Sequence, residues 1–146
     1  MNNIQKITES RQKLFALQEA SSKMEQVECP LIHTFVPGMY ARQIFVPKGT
    51  TVVTKIHNQR HLTFILKGKC VVHSDGKIKT VEAPMMFVTE PGTKRAVYVL
   101  EDTIWVTVHH NPNDETDLDK IEEFVIAKDF DHIRGPDARG ELSWHG

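Results

Sequence analysis

At 146 residues the chain is long enough for one domain with a core of its own, without staples. A net charge of -1 gives no reason to expect nucleic acid or an anionic membrane as a partner, and two cysteines, Cys29 and Cys70, make no disulfide framework. No apolar run reaches transmembrane length and the amino terminus lacks the apolar core of a signal peptide, so a cytoplasmic location is the expectation.

Residues 1 to 28 read as a helical extension. Ile4, Ile7, Leu14, Leu17 and Met24 fall at helical steps among good helix formers, while Arg11 and Ser21 interrupt the stripe and keep it narrow. Such a helix suits packing on its own domain, or secondarily on a partner subunit. Pro30 ends it by biasing Cys29 away from helix.

From Pro30 to His110 the period changes. About nine short β-rich runs recur at roughly 8–12-residue spacing, punctuated by Pro37-Gly38, Pro47-Lys48-Gly49, Lys67-Gly68, Asp75-Gly76, Ala83-Pro84, Pro91-Gly92 and Glu101-Asp102. The pattern predicts an all-β barrel or sandwich over residues 29–110, with Asp75-Gly76 as its strongest hairpin turn. Met85, Met86 and Phe87 read as core, and Cys70 as a small buried thiol.

Chemistry concentrates between Gly49 and Gly68. The runs Thr51 to His57 and His61 to Leu66 read as strands joined by the turn Asn58-Gln59-Arg60. Alternation puts Lys55 and His57 on one face, and His61 and Thr63 on one face of the next strand, so the turn brings two imidazoles and an amine to one pocket.

Residues 111–146 read as a second helix and a tail. Asp114 or Thr116 can cap the helix, Asp117 and Asp119 suit its positive end, and Leu118, Ile121, Phe124 and Val125 form its apolar stripe. The tail from Asp129, with an isolated Trp144, has no periodicity.

The spacing Gly49-x5-Lys55-x-His57-x3-His61-x6-Gly68 resembles the first motif of the small cupins: a glycine, two histidines one residue apart, a glutamate and a closing glycine. Downstream, Pro84-x5-Glu90-Pro91-Gly92-x2-Arg95-x3-Val99 is similar to the second. The resemblance covers roughly residues 30 to 110 and extends to small cupin-type reading frames of phage and bacterial genomes. It implies a mainly β fold, a double-stranded β-helix or jelly-roll barrel, to which the two terminal helices are additions.

The letters depart from the family pattern. Of the four metal-ligand positions only the second histidine stands, as His57; Lys55 occupies the first, His61 the glutamate and Arg95 the last histidine. Protonated lysine and arginine cannot ligate, so the family's site is broken as written. A rearranged set is expected instead. Parity puts Trp105, Thr107 and His109 on one face of the last strand, and His57, His61 and His109 together suit a divalent transition metal such as Zn, Fe, Mn, Ni or Cu. Lys55 and Arg95 are then the substrate-binding candidates, Arg95 as a two-pronged carboxylate or phosphate clamp.

Each has a plainer alternative: a hydrogen-bonded histidine pair, a surface position for His109, a lysine reaching out of the mouth, and a salt bridge from Arg95 to Glu90 or Glu101. His33 and His73 read as structural, and Tyr98 as packing. Two functions follow. One is a metal-dependent enzyme on a small polar or anionic substrate; the other is a non-catalytic ligand-binding or assembly module with a degenerate site. The resemblance also implies a homodimer.

Overall fold

The computed structural model describes residues 2–22 and 27–127. The expectations for Met24, Trp144 and the tail lie outside these residues. Helix α1 spans Asn3–Ser22, and Val27 and Glu28, expected within the helical extension, are not helical. Strands follow as β1 (Leu31–Val36), β2 (Met39–Val46), β3 (Thr51–Val53), β4 (Ile56–His57), β5 (His61–Ser74), β6 (Lys77–Glu82), β7 (Met85–Thr89) and β8 (Ala96–His110). Helix α2 (Leu118–Val125) and a short β9 (Ile126–Ala127) close the described chain.

Two long strands organise the barrel. In the seven-stranded sheet, ordered β1-β2-β8-β5-β6, β3 also pairs with β8 and β7 with β5. The sequence reading divided each long strand in two, at Lys67-Gly68 and at Glu101-Asp102. Both divisions are corrected by the pairing, since β5 and β8 run antiparallel from Leu62↔Val108 to His73↔Ala96. Register shifts between Ile65 and Cys70 absorb the irregularity, so Gly68 marks a bulge within a strand, not its end. The run Thr51 to His57 is instead interrupted, as β3 joins β8 and β4 pairs with β9. The hairpin at Asp75-Gly76 is as read: both residues have positive φ, 48° and 80°.

The core follows from alternation on the long strands. Val46, Ile65, Cys70, Val72, Val81, Val97 and Val99 are buried together, with Trp105, Phe87 and Met85 packed against them. Each fully buried aliphatic side chain contributes about 1.5–3 kcal/mol. The Cys70 thiol meets the Thr103 hydroxyl at 3.3 Å, and burial pushes its pKa up, as the inert reading requires. Met86 is a correction: it is 60% exposed on the outer face.

Both helices close on the barrel. Leu14 of α1 is buried, Gln18 receives a 2.6 Å hydrogen bond from the Lys94 amine, and that amine lies 4.7 Å from the centre of the Phe15 ring. Asp117 caps α2 through the Asp119 amide, where Asp114 or Thr116 was expected. Ile121 and Val125 of α2 pack on Tyr40 of β2, whereas Leu118 and Phe124 stay largely exposed. β9 then pairs with β4, Ile126 opposite His57, so α2 and β9 form a cover over the mouth of the barrel.

Candidate functional site: an imidazole cluster in the barrel mouth

His57, His61 and His109 come from three strands and meet in one place. The His57 and His61 ring centroids are 4.8 Å apart, and those of His61 and His109 are 4.4 Å apart. Backbone carbonyls fix the first two rings: the His57 Nδ1–H donates to Thr93 O at 3.1 Å and the His61 Nδ1–H to Gln59 O at 3.0 Å. Each therefore keeps its lone pair on Nε2. His109 shares a 2.9 Å hydrogen bond through Nε2 with the Thr107 hydroxyl, which leaves its lone pair on Nδ1 when Thr107 accepts. His61 Nε2 and His109 Nδ1 are buried without a hydrogen-bond partner among the described residues.

The local sequence explains the placement. The Pro91-Gly92-Thr93 turn grips β4 by two backbone bonds, Gly92 N to His57 O at 2.8 Å and His57 N to Thr93 O at 3.0 Å. Asn58, next in the chain, is buried and ties its amide to Val125 O at 2.7 Å and its side chain to Phe124 O at 3.2 Å. Tyr40 stacks on His109 at 5.8 Å and pairs its hydroxyl with His33 Nδ1 at 2.6 Å. His33 is thus the outer support of the cluster, while His73 is exposed on β5.

No protein-family model and no curated protein matches the sequence. Solved structures do. A cupin-2 domain-containing protein from Shewanella frigidimarina is 12% identical over 64% of this chain and 90% of that one, with a TM-score of 0.47. A conserved Streptococcus pyogenes protein of unknown function is 18% identical over 61% and 79%, with a TM-score of 0.49. A Klebsiella pneumoniae protein with a double-stranded β-helix domain reaches a TM-score of 0.51 at 15% identity, over 64% of this chain and 85% of that one. The chain has the double-stranded β-helix fold.

In this barrel the cluster opens on a cavity of about 440 Å³ between the strands and α2. That is within the usual small-molecule range of about 300–1,000 Å³. Lys55 and Arg95 both line it, but in different states. Lys55 is exposed and bound to Glu122 of α2, so its charge is already answered at the rim. Arg95 is buried, donates to the Thr89 hydroxyl at 3.0 Å and lies over the faces of Phe87 and Trp105, at 5.4 and 5.9 Å. Its alternative partner Glu90 pairs with Arg60 instead. Arg42 of β2, which the sequence reading did not single out, also lines the cavity. It stands on the face of Tyr40, Ile44 and Val46, and that alternation was the available signal. Tyr98 is 46% exposed and does not pack in the core, contrary to the expectation.

Burial and the neighbouring cations keep the imidazoles neutral. Burial is the chief cause in all three, holding His57 at about 3, His61 at about 4 and His109 at about 2; His61 adds to the effect on both neighbours, and Arg95 adds to it on His61. Burial also lowers Arg95 to about 10, which leaves it a cation at neutral pH. Among the described residues no group of three or more His, Cys, Asp or Glu is placed so that it could hold a metal ion as it stands. The chemistry of the donors nevertheless fits one: neutral rings, each with one nitrogen held by an oxygen partner, and two buried nitrogens with nothing to bind.

Proposed function

We propose that this protein binds one divalent transition metal through His57, His61 and His109 and acts on a small polar or anionic substrate in the adjoining cavity. The observation that carries this reading is the pair of buried, unpartnered nitrogens, His61 Nε2 and His109 Nδ1, in rings that touch. An unpartnered buried polar atom costs about 1–3 kcal/mol, and a metal ion removes that cost at both atoms at once. The carbonyls of Thr93 and Gln59 orient His57 and His61 and strengthen them as donors. Such an ion supplies Lewis-acid polarisation or an activated water. Arg95 orients the substrate's negative charge, and the walls of Val97, Val99 and Trp105 exclude water.

Because the depressed pKa values keep the rings neutral, protons compete for them only well below the ordinary histidine value of about 6.5. The test is elemental analysis after exposure to Zn, Fe, Mn and Ni. Wild-type protein is expected to hold one equivalent, His57→Ala and His61→Ala none, and His73→Ala the full equivalent. Wild-type protein without metal sinks the reading. The second reading, a binding module without metal, draws support from the cations beside the rings, Arg95 and Arg42, which oppose a dication, and from the lack of a carboxylate beside the rings among the described residues.

A further inference from the structure

The cavity contains more positive charge than the fold answers. Among the described residues its one lining carboxylate is Glu122, and Lys55 takes it. Among the described residues neither Arg42 nor Arg95 forms an ion pair. Arg95 is only 8% exposed, and the Thr89 hydroxyl and two aromatic faces do not neutralise it. Taking an unpaired guanidinium out of water is costly, and a fold sustains that cost where a ligand supplies the counter-charge. The three imidazoles beside it are neutral and offer none.

The remaining wall limits what the anion can be. Ile44, Val46, Val52, Val97, Val99 and Trp105 give the cavity a mostly apolar surface. A sugar phosphate would set its hydroxyls against these side chains without partners, at a cost for each group buried. A carboxylate with an apolar body meets both halves. Its two oxygens match the planar fork of a guanidinium, and its body displaces water from the valine wall.

We infer that the cavity is a binding site for a small carboxylic acid with an aliphatic or aromatic body, its carboxylate held by Arg95 and Arg42 and its body seated against Val52, Val97 and Val99. This deepens the reading above by naming the class of substrate, and it rests on the same cavity. It does not need the metal, because both anchors belong to the protein.

Calorimetric titration with octanoate, phenylacetate, phenylacetamide and inorganic phosphate tests it, on chelator-treated and on zinc-loaded wild-type protein. Octanoate or phenylacetate is expected to bind both forms, at least about tenfold more tightly than phenylacetamide or phosphate. Arg95→Lys and Arg42→Lys, which keep charge and lose the fork, are each expected to weaken the carboxylate by about tenfold or more. Equal binding of acid and amide, preference for phosphate, or no binding of either carboxylate by either form overturns the inference, and the wild-type comparison needs no variant to fold. Carboxylate binding without metal uptake leaves the inference standing and removes only the metal reading. Metal uptake without carboxylate binding does the reverse.

Discussion

At the scale of single residues, the site is defined by what burial does to charge. His57, His61 and His109 are held neutral, at about 3, about 4 and about 2, chiefly because a charged ring in the barrel would lose its water. At pH 7 the imidazoles are neutral in the folded and unfolded chain alike, so the shift contributes nothing. Below about 6.5 the unfolded chain takes protons that the folded chain refuses, and stability falls as pH drops towards the folded values. Each ring contributes a slope of about 1.4 kcal/mol per pH unit, and three together about 4. A domain with about 5–10 kcal/mol to lose is therefore expected to unfold with a midpoint between about pH 5.5 and 4. Circular dichroism of chelator-treated protein measures it, and His61→Gln, with one titrating ring fewer, should shift the midpoint to lower pH. An intact fold at pH 3.5 would mean that the rings take up protons without leaving the folded state.

At the scale of elements, legibility depended on whether the signal was local. β1, β2 and β7 end at the punctuation read from sequence, because Pro37-Gly38, Pro47-Lys48-Gly49 and Pro91-Gly92 are turns in the structure as in the pattern. β5 and β8 were divided because Lys67-Gly68 and Glu101-Asp102 look like the same punctuation, and only long-range pairing overrides it. The imidazole cluster was legible from spacing and parity, since a strand–turn–strand is local and His109 needed only its face. Arg42 was missed although its parity on β2 was there to read, because nothing in that strand shows its face turning inward when the cavity beside it is built by six other strands and a helix. Gly68 shows how tightly the two long strands meet. It has a φ of +97°, and a Cβ there would lie 2.3 Å from Thr103 Oγ1, 2.4 Å from Asp102 O and 2.7 Å from Thr103 Cα. Two of these neighbours are backbone and cannot swing away. Gly68→Ala is thus expected to cost about 2–5 kcal/mol by adding backbone strain to overpacking, read as a shifted denaturant midpoint. A change under about 0.5 kcal/mol would mean that the bulge is not close-packed in solution.

At the scale of the whole molecule, β1 is, among the described residues, one edge of the seven-stranded sheet, and it carries exposed apolar side chains on both faces. Leu31 and Phe35 are 44% and 37% exposed, and Ile32 and Val36 are 56% and 47%. A long apolar edge strand with free backbone donors and acceptors is a surface that proteins ordinarily cover or charge. The helix that the sequence offered as an alternative interface is committed to its own barrel, through Leu14, the Gln18–Lys94 bond and the Arg11–Asp75 ion pair. We therefore propose that a second copy of the chain covers β1 in an isologous homodimer, each edge pairing with its counterpart across a two-fold axis. Light scattering at micromolar concentration is expected to give the mass of two chains. Ile32→Lys with Val36→Lys should give one chain, with an unchanged circular dichroism spectrum, because both side chains already point away from the cavity. Removal of residues 2–22 should lower thermal stability by exposing Lys94 and the barrel surface around it, yet leave the dimer mass intact. A wild-type monomer, or a dimer lost with α1 and kept in the double lysine variant, would move the interface away from β1.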